Sequence, residues 1–184
     1  MNFLIKKQKQ LSKFDKSSIG SWDPKIKGLC NKLNKKNEYY TTSSCAGRVV
    51  LLKGGIDKIK NAFLYRTHKK ITLKEIITKL KKINYSELVE FQQTPCILHV
   101  ACTDIESAQE LVTKAKMSGW KHSGIMSTKK RVMVELHSTE KLDFPIMEKG
   151  KILVNHEFLK IVVKQANIRL ERVWEKIKRL EKMV

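Results

Sequence analysis

The chain has 184 residues, 41% of them hydrophobic, with 38 Lys and Arg against 18 Asp and Glu for a formal net charge of +20. This is a globular composition, long enough to bury roughly 70% of its unfolded surface without staples, and it excludes a disordered chain. The charged opening MNFLIKKQKQLSKF lacks the apolar core of a signal peptide, no run is apolar enough to span a bilayer, and four cysteines without a Cys-x-x-Cys pair argue for reduced thiols and against a zinc site. A cytoplasmic protein with no membrane association and no metal is expected.

Asp23-Pro24 reads as a helix start, with Asp as N-cap and Pro at the first helical position, ahead of Ile26, Leu29, Cys30 and Leu33 at helical spacing. From Tyr39 to Leu52 the aromatic, Thr and Val residues predict two strands around Gly47, closed by Gly54-Gly55, and Ala62 to Thr67 predicts another. Thr72 and Glu75 form a capping box before Leu73, Ile76, Ile77, Leu80 and Ile83. Ile97 to Cys102 is a short apolar strand. Thr103 and Glu106 suggest a second capping box, ahead of Ile105, Ala108, Leu111, Val112 and Ala115, with Gly119 as the stop. Lys121 to Ser127 and Val132 to His137 read as a strand pair, and His156 to Met183 as a long helix burying Leu159, Val162, Ala166, Leu170, Val173, Ile177 and Leu180.

Strands and helices mix without a βαβ rhythm, so the fold expected is α+β, mixed sheets with packed helices, and not a doubly wound Rossmann-type fold. With no Pro-, Gly- or Ser-rich linker, 1–184 reads as one domain. Two similar halves, 1–92 and 93–155, followed by a helix over 156–183, are a weaker subdivision.

The cations are clustered. Leu111 to Val134 holds six basic residues and no acid, and Arg66 to Lys82 holds seven against Glu75 alone. Phosphate binding needs several cations on one surface, so this distribution points to a nucleic acid. Lys69, Lys70, Lys129, Lys130 and Arg131 are the candidate phosphate contacts.

No dinucleotide fingerprint and no phosphate-binding Gly-x-x-x-x-Gly-Lys-Ser is present. The unusual run is Thr41-Thr42-Ser43-Ser44-Cys45-Ala46-Gly47-Arg48. Its hydroxyls supply donors and acceptors without bulk, Ala46 and Gly47 permit close approach and a sharp turn, and Arg48 offers a fork for a carboxylate or phosphate. Read alone, it is either a loop for a small polar ligand or an edge strand with a turn.

Asp15-Lys16-Ser17, Gly20-Ser21-Trp22-Asp23 and Tyr39 to Arg48 stand in the order of the wybutosine-synthesising tRNA methyltransferases, and the chain resembles that family from about Phe14 to Leu180. The resemblance runs on through His68, Ile97-Leu98-His99-Val100, Ser118-Gly119-Trp120, Ser123-Gly124-Ile125, Pro145, Gly150 to Val154 and Ala166-Asn167. It departs from the family at Phe63, where Trp is usual, and at Ile19, where Lys is common. The resemblance implies S-adenosyl-L-methionine as cofactor and a tRNA(Phe) bearing a wyosine precursor as partner. The methyl group would go to the N4 ring nitrogen of a 7-aminocarboxypropyl-demethylwyosine beside the anticodon. The alternative is a non-catalytic basic tRNA-binding module.

On this reading Asp15, Ser44 and His68 are the catalytic candidates, Asp15 first as proton acceptor. Thr42, Ser43, Ser44, Cys45, Gly47 and His99 are candidates for the methyl donor. Lys16, Ser17, Ser21, Trp22, Tyr40 and Arg48 join the five cations toward the RNA, Trp22 and Tyr40 as stacking faces.

Overall fold

In the computed structural model, residues 2–13, 22–54 and 61–184 are described. They hold five helices and nine strands, and every strand pair is antiparallel. The expected α+β class is what the chain adopts. Residues divide into two compact units: 1–46 with 96–139 and 173–184, and 47–95 with 140–172.

The first unit is built on a four-stranded sheet in the order β1 (Tyr39–Cys45), β5 (Ile97–Cys102), β7 (Val132–His137), β6 (Gly124–Ser127). Alternation along β5 sends Leu98, Val100 and Cys102 into one core with Val134 and Leu136. Helix α2 (Pro24–Lys35) adds Ile26, Leu29, Cys30 and Leu33 to that core, and α4 (Ile105–Met117) adds Ala108, Leu111, Val112 and Ala115. The last turns of α5 (His156–Met183) bring Val173, Ile177 and Leu180. Trp120 is fully buried there, its indole N–H donating to the Lys176 carbonyl at 3.2 Å. On the opposite face lie Tyr40, Ala101 and Met133, against which α1 (Phe3–Leu11) sets Phe3.

The second unit carries a five-stranded sheet in the order β3 (Phe63–Thr67), β2 (Arg48–Lys53), β4 (Val89–Thr94), β8 (Leu142–Glu148), β9 (Lys151–Ile152). Phe91 of β4 stacks on Phe144 of β8 with centroids 5.4 Å apart, and Phe158 meets Phe144 edge-on. Ile76 and Leu80 of α3 (Leu73–Lys82) are buried, as are Leu159, Val162, Ala166 and Leu170 along the first turns of α5.

The capping box at Thr72 forms with both of its bonds. The one read at Thr103 does not: Asp104 is the N-cap of α4, its carboxylate accepting from Ser107 N at 2.7 Å. A carboxylate at the helix N-terminus interacts with both the amide and the dipole and outcompetes the neighbouring hydroxyl. Asp23 stands at the N-cap of α2 but makes no side-chain cap there; its Oδ2 accepts from Ala46 N at 3.0 Å instead. The two strands read around Gly47 are both present, and they enter different sheets. Helix α1 and strands β4, β8 and β9 have no counterpart among the elements expected from the sequence.

Candidate active site

The polar run starts on β1. Asn34, at the end of α2, clamps Thr41 with its whole amide: Oδ1 accepts from Thr41 N at 2.8 Å and Nδ2 donates to Thr41 Oγ1 at 2.9 Å. Immediately beyond the clamp the ladder slips. Thr41 pairs with Val100 and Ser43 with His99, leaving Thr42 as the extra residue of a β-bulge. The slip reverses the parity of the strand beyond it. In a straight strand Tyr40, Thr42 and Ser44 would share a face; here Ser43 joins Tyr40 on the face opposite α2 and α4. Ser44, opposite Leu98, turns to the helix side, where it hydrogen-bonds Cys30.

On the open face three side chains form a row across three strands. Ser43 Oγ lies 2.8 Å from His99 Nδ1, and His99 Nε2 lies 2.8 Å from Glu135 Oε2. Register aligns them, Ser43 opposite His99 and His99 opposite Glu135. Ser43 is exposed, and the side chains of His99 and Glu135 are 27% and 39% exposed.

The thiols differ. Burial pushes Cys30 and Cys102 up to about 12, the hydrogen bond from Ser44 offsetting part of the effect at Cys30. Cys45, at the end of β1, is half-buried.

In the second unit Gly47 has φ of 83°, a conformation open to glycine at little cost. Its carbonyl accepts from His68 Nδ1 at 3.2 Å. A carbonyl can only accept, so Nδ1 carries a proton in this contact. Arg48 holds its guanidinium 4.9 Å from the centre of the Phe63 ring, and Arg66 packs on the same ring at 5.0 Å. Among the described residues Arg48 Nε is buried without a hydrogen-bond acceptor, which suits an incoming carboxylate or phosphate.

His68, Lys69 and Lys70 sit between β3 and α3. Asn167 of α5 clamps the end of this stretch, Oδ1 accepting from Ile71 N and Nδ2 donating to Ile71 O, each at 2.9 Å. Lys70 also pairs with Glu171. Lys69 and Lys70 are exposed, as are Lys129, Lys130 and Arg131 in the bend between β6 and β7 of the first unit.

Asp15, Lys16, Ser17 and Ser21 lie outside the described residues. Trp22 is half-buried at the edge of the first core. Tyr40 is 1% exposed, its ring centroid 5.0 Å from that of Phe3, so its face is taken by α1 and is not presented to a base. The first unit thus gathers Thr42, Ser43, Cys45 and His99 on or beside one strand pair, and the second gathers Gly47, Arg48, His68, Lys69 and Lys70.

Residues 5–184 match the family model described as Methyltransferase TYW3. The chain belongs to this family. It is therefore a methyltransferase, and one built on antiparallel sheets. A TYW3 relative from Thermococcus sibiricus, tRNA(Phe) 7-((3-amino-3-carboxypropyl)-4-demethylwyosine(37)-N(4))-methyltransferase, is 35% identical over 184 residues, covering 98% of this chain and 93% of its own. The human tRNA wybutosine-synthesizing protein 3 homolog is 37% identical over 175 residues, 92% of this chain and 67% of the relative. Among solved structures, the PH1069 protein from Pyrococcus horikoshii superposes with a TM-score of 0.85 at 34% identity, covering 98% of this chain and 89% of that one.

Asn34, Glu135 and the bulge at Thr42 are features of the candidate site that sequence reasoning missed. For Glu135 a signal existed: it is the one acid in the apolar run Val-Met-Val-Glu-Leu-His of β7.

Proposed function

We propose that this chain methylates the N4 nitrogen of a 7-(3-amino-3-carboxypropyl)-4-demethylwyosine in tRNA(Phe), taking the methyl group from S-adenosyl-L-methionine. The match to the TYW3 family along residues 5–184 carries the reading, together with relatives whose names specify this reaction.

The residues present suit both substrates. A sulfonium donor needs a polar, uncrowded cradle, which Thr42, Ser43 and Cys45 of the first unit offer; in the second unit, taken by itself, the acceptor-less Nε of Arg48 suits a carboxylate or phosphate. The donor supplies an activated methyl group, and holding it in line with the nitrogen is worth several kcal/mol of barrier. Lys69, Lys70, Lys129, Lys130 and Arg131 are exposed cations for tRNA phosphates. No helix of the described residues is long and apolar enough to cross a membrane.

The test is methyl transfer from isotope-labelled donor to tRNA(Phe) isolated with the demethylated tricycle in place. Label should appear at N4 of that nucleoside and not on tRNA lacking the tricycle. Salt-sensitive tRNA binding without any label transfer would instead identify a non-catalytic RNA-binding module.

A further inference from the structure

Within the first unit, the row Ser43–His99–Glu135 has the arrangement of a proton shuttle. A carboxylate oxygen can only accept, so the 2.8 Å contact to Glu135 requires the proton of His99 to sit on Nε2. In the neutral ring Nδ1 then carries the lone pair, and across the 2.8 Å contact the Ser43 hydroxyl donates to it. Both oxygen lone pairs of Ser43 are left pointing away from the imidazole, at the exposed end of the row. The bulge at Thr42 creates this, because it alone brings Ser43 rather than Thr42 opposite His99. A lone surface histidine needs neither partner; here the ring is held at both nitrogens.

We propose that Ser43 and His99 take the proton released when the target nitrogen is methylated, and that Glu135 is a positioning residue that holds the imidazole in the accepting tautomer. The inference rests on the methyl-transfer reading above. As the nitrogen's electron pair forms its bond to the methyl carbon, the carbon–sulfur pair stays with sulfur. The N–H proton passes to Ser43 Oγ while the hydroxyl proton moves to His99 Nδ1. The resulting imidazolium lies against the Glu135 carboxylate and later returns its proton to water. Charge is conserved at each transfer, and no redox partner is required. General-base assistance of this kind contributes about 10²–10⁴-fold in rate.

The experiment combines an activity-independent readout with kinetics. Long-range ¹H–¹⁵N NMR of the free protein should show His99 as the Nε2–H tautomer, and Glu135→Gln, which can donate as well as accept, should release that preference. In single-turnover methyl transfer, His99→Ala and Glu135→Gln should each slow the chemical step at least tenfold while donor and tRNA affinities stay within about twofold, and Ser43→Ala should slow the step at saturating donor by at least as much. Glu135→Asp should recover part of the loss, and added imidazole should partly rescue His99→Ala. An Nδ1–H tautomer in the wild type would overturn the proposal. So would a Glu135→Gln enzyme at wild-type rate, or losses confined to donor affinity, which would place His99 in the donor pocket. Wild-type protein unable to transfer methyl would remove the reaction and the shuttle together, whereas an active wild type with unaffected variants removes the shuttle alone.

Discussion

Asn167→Ala tests how the second unit presents His68, Lys69 and Lys70. The side chain makes two hydrogen bonds of 2.9 Å to the two polar groups of the Ile71 backbone, and Ile71 itself is 2% exposed. A buried or half-buried hydrogen bond contributes about 0.5–1.5 kcal/mol net, and an orphaned donor or acceptor costs more than a lost surface bond. Two bonds therefore amount to about 2 kcal/mol, since water can reach part of the site. For a chain of this size that corresponds to a fall in Tm of roughly 4–8 °C. The sharper assay is native-state hydrogen exchange at the Ile71 amide, which donates to Asn167 Oδ1. Removing the acceptor should speed its exchange by roughly 10–100-fold, following about 1.4 kcal/mol per tenfold. Binding to tRNA should weaken less than stability, because the cations remain. An unchanged Tm together with wild-type exchange at Ile71 would refute the assignment of the clamp.

The geometry sets three further outcomes. Gly47→Ala puts a Cβ at φ 83° and should cost about 1–2 kcal/mol; because the Gly47 carbonyl accepts from His68, methyl transfer should fall more than donor binding does, as read by single-turnover kinetics. Replacing Lys129, Lys130 and Arg131 together by Ala should lower the slope of log tRNA affinity against log salt by up to about 2–3 units if each meets a phosphate; an unchanged slope places the RNA elsewhere. The carboxyl of Asp104 is held below its ordinary value by hydrogen bonds, first with Ser107 and then with Thr103. Its folded pKa being depressed, the stabilisation is present above the unfolded value and fades as pH falls through the folded one. Asp104→Ala should then cost about 1 kcal/mol near pH 7, and the gap measured by urea unfolding should narrow below about pH 4; an equal gap at both ends would contradict the linkage.

The helices were legible because each writes its buried face at a period near 3.6, as Ile26–Leu29–Leu33 and Leu159–Val162–Ala166–Leu170 do. Strand β8 was hidden by Pro145, which normally argues against a strand interior. It is accommodated opposite Glu90, beside the register shift between Val89 and Glu90. Strand β4 alternates buried Val89, Phe91 and Gln93 with half-exposed Glu90, Gln92 and Thr94, but two glutamines and a Glu mask the pattern in composition. At the site, the chemistry of the Thr41–Arg48 run could be read and its geometry could not. Local alternation has no means of announcing a bulge: it puts Ser44, the hydroxyl read as catalytic, on the face of Tyr40, where the slipped ladder puts Ser43. Glu135 lies 36 residues from His99 and meets it only through strand register, which composition and spacing do not encode.

The division of the first unit among three chain segments has a consequence for its synthesis. Its core draws on Leu29 and Leu33, then on Leu98, Val100 and Leu111, and finally on Val173, Ile177 and Leu180. The segments emerge from the ribosome in that order, with the whole of the second unit's sheet translated between the first and the last. Helix α2 and strand β1, which carries Ser43, must therefore wait for residues 173–184 before their apolar faces are fully covered. Non-local closure of this kind slows folding and leaves surface exposed in the interval. The strands of the second sheet are all translated before residues 173–184 can cover α2 and β1.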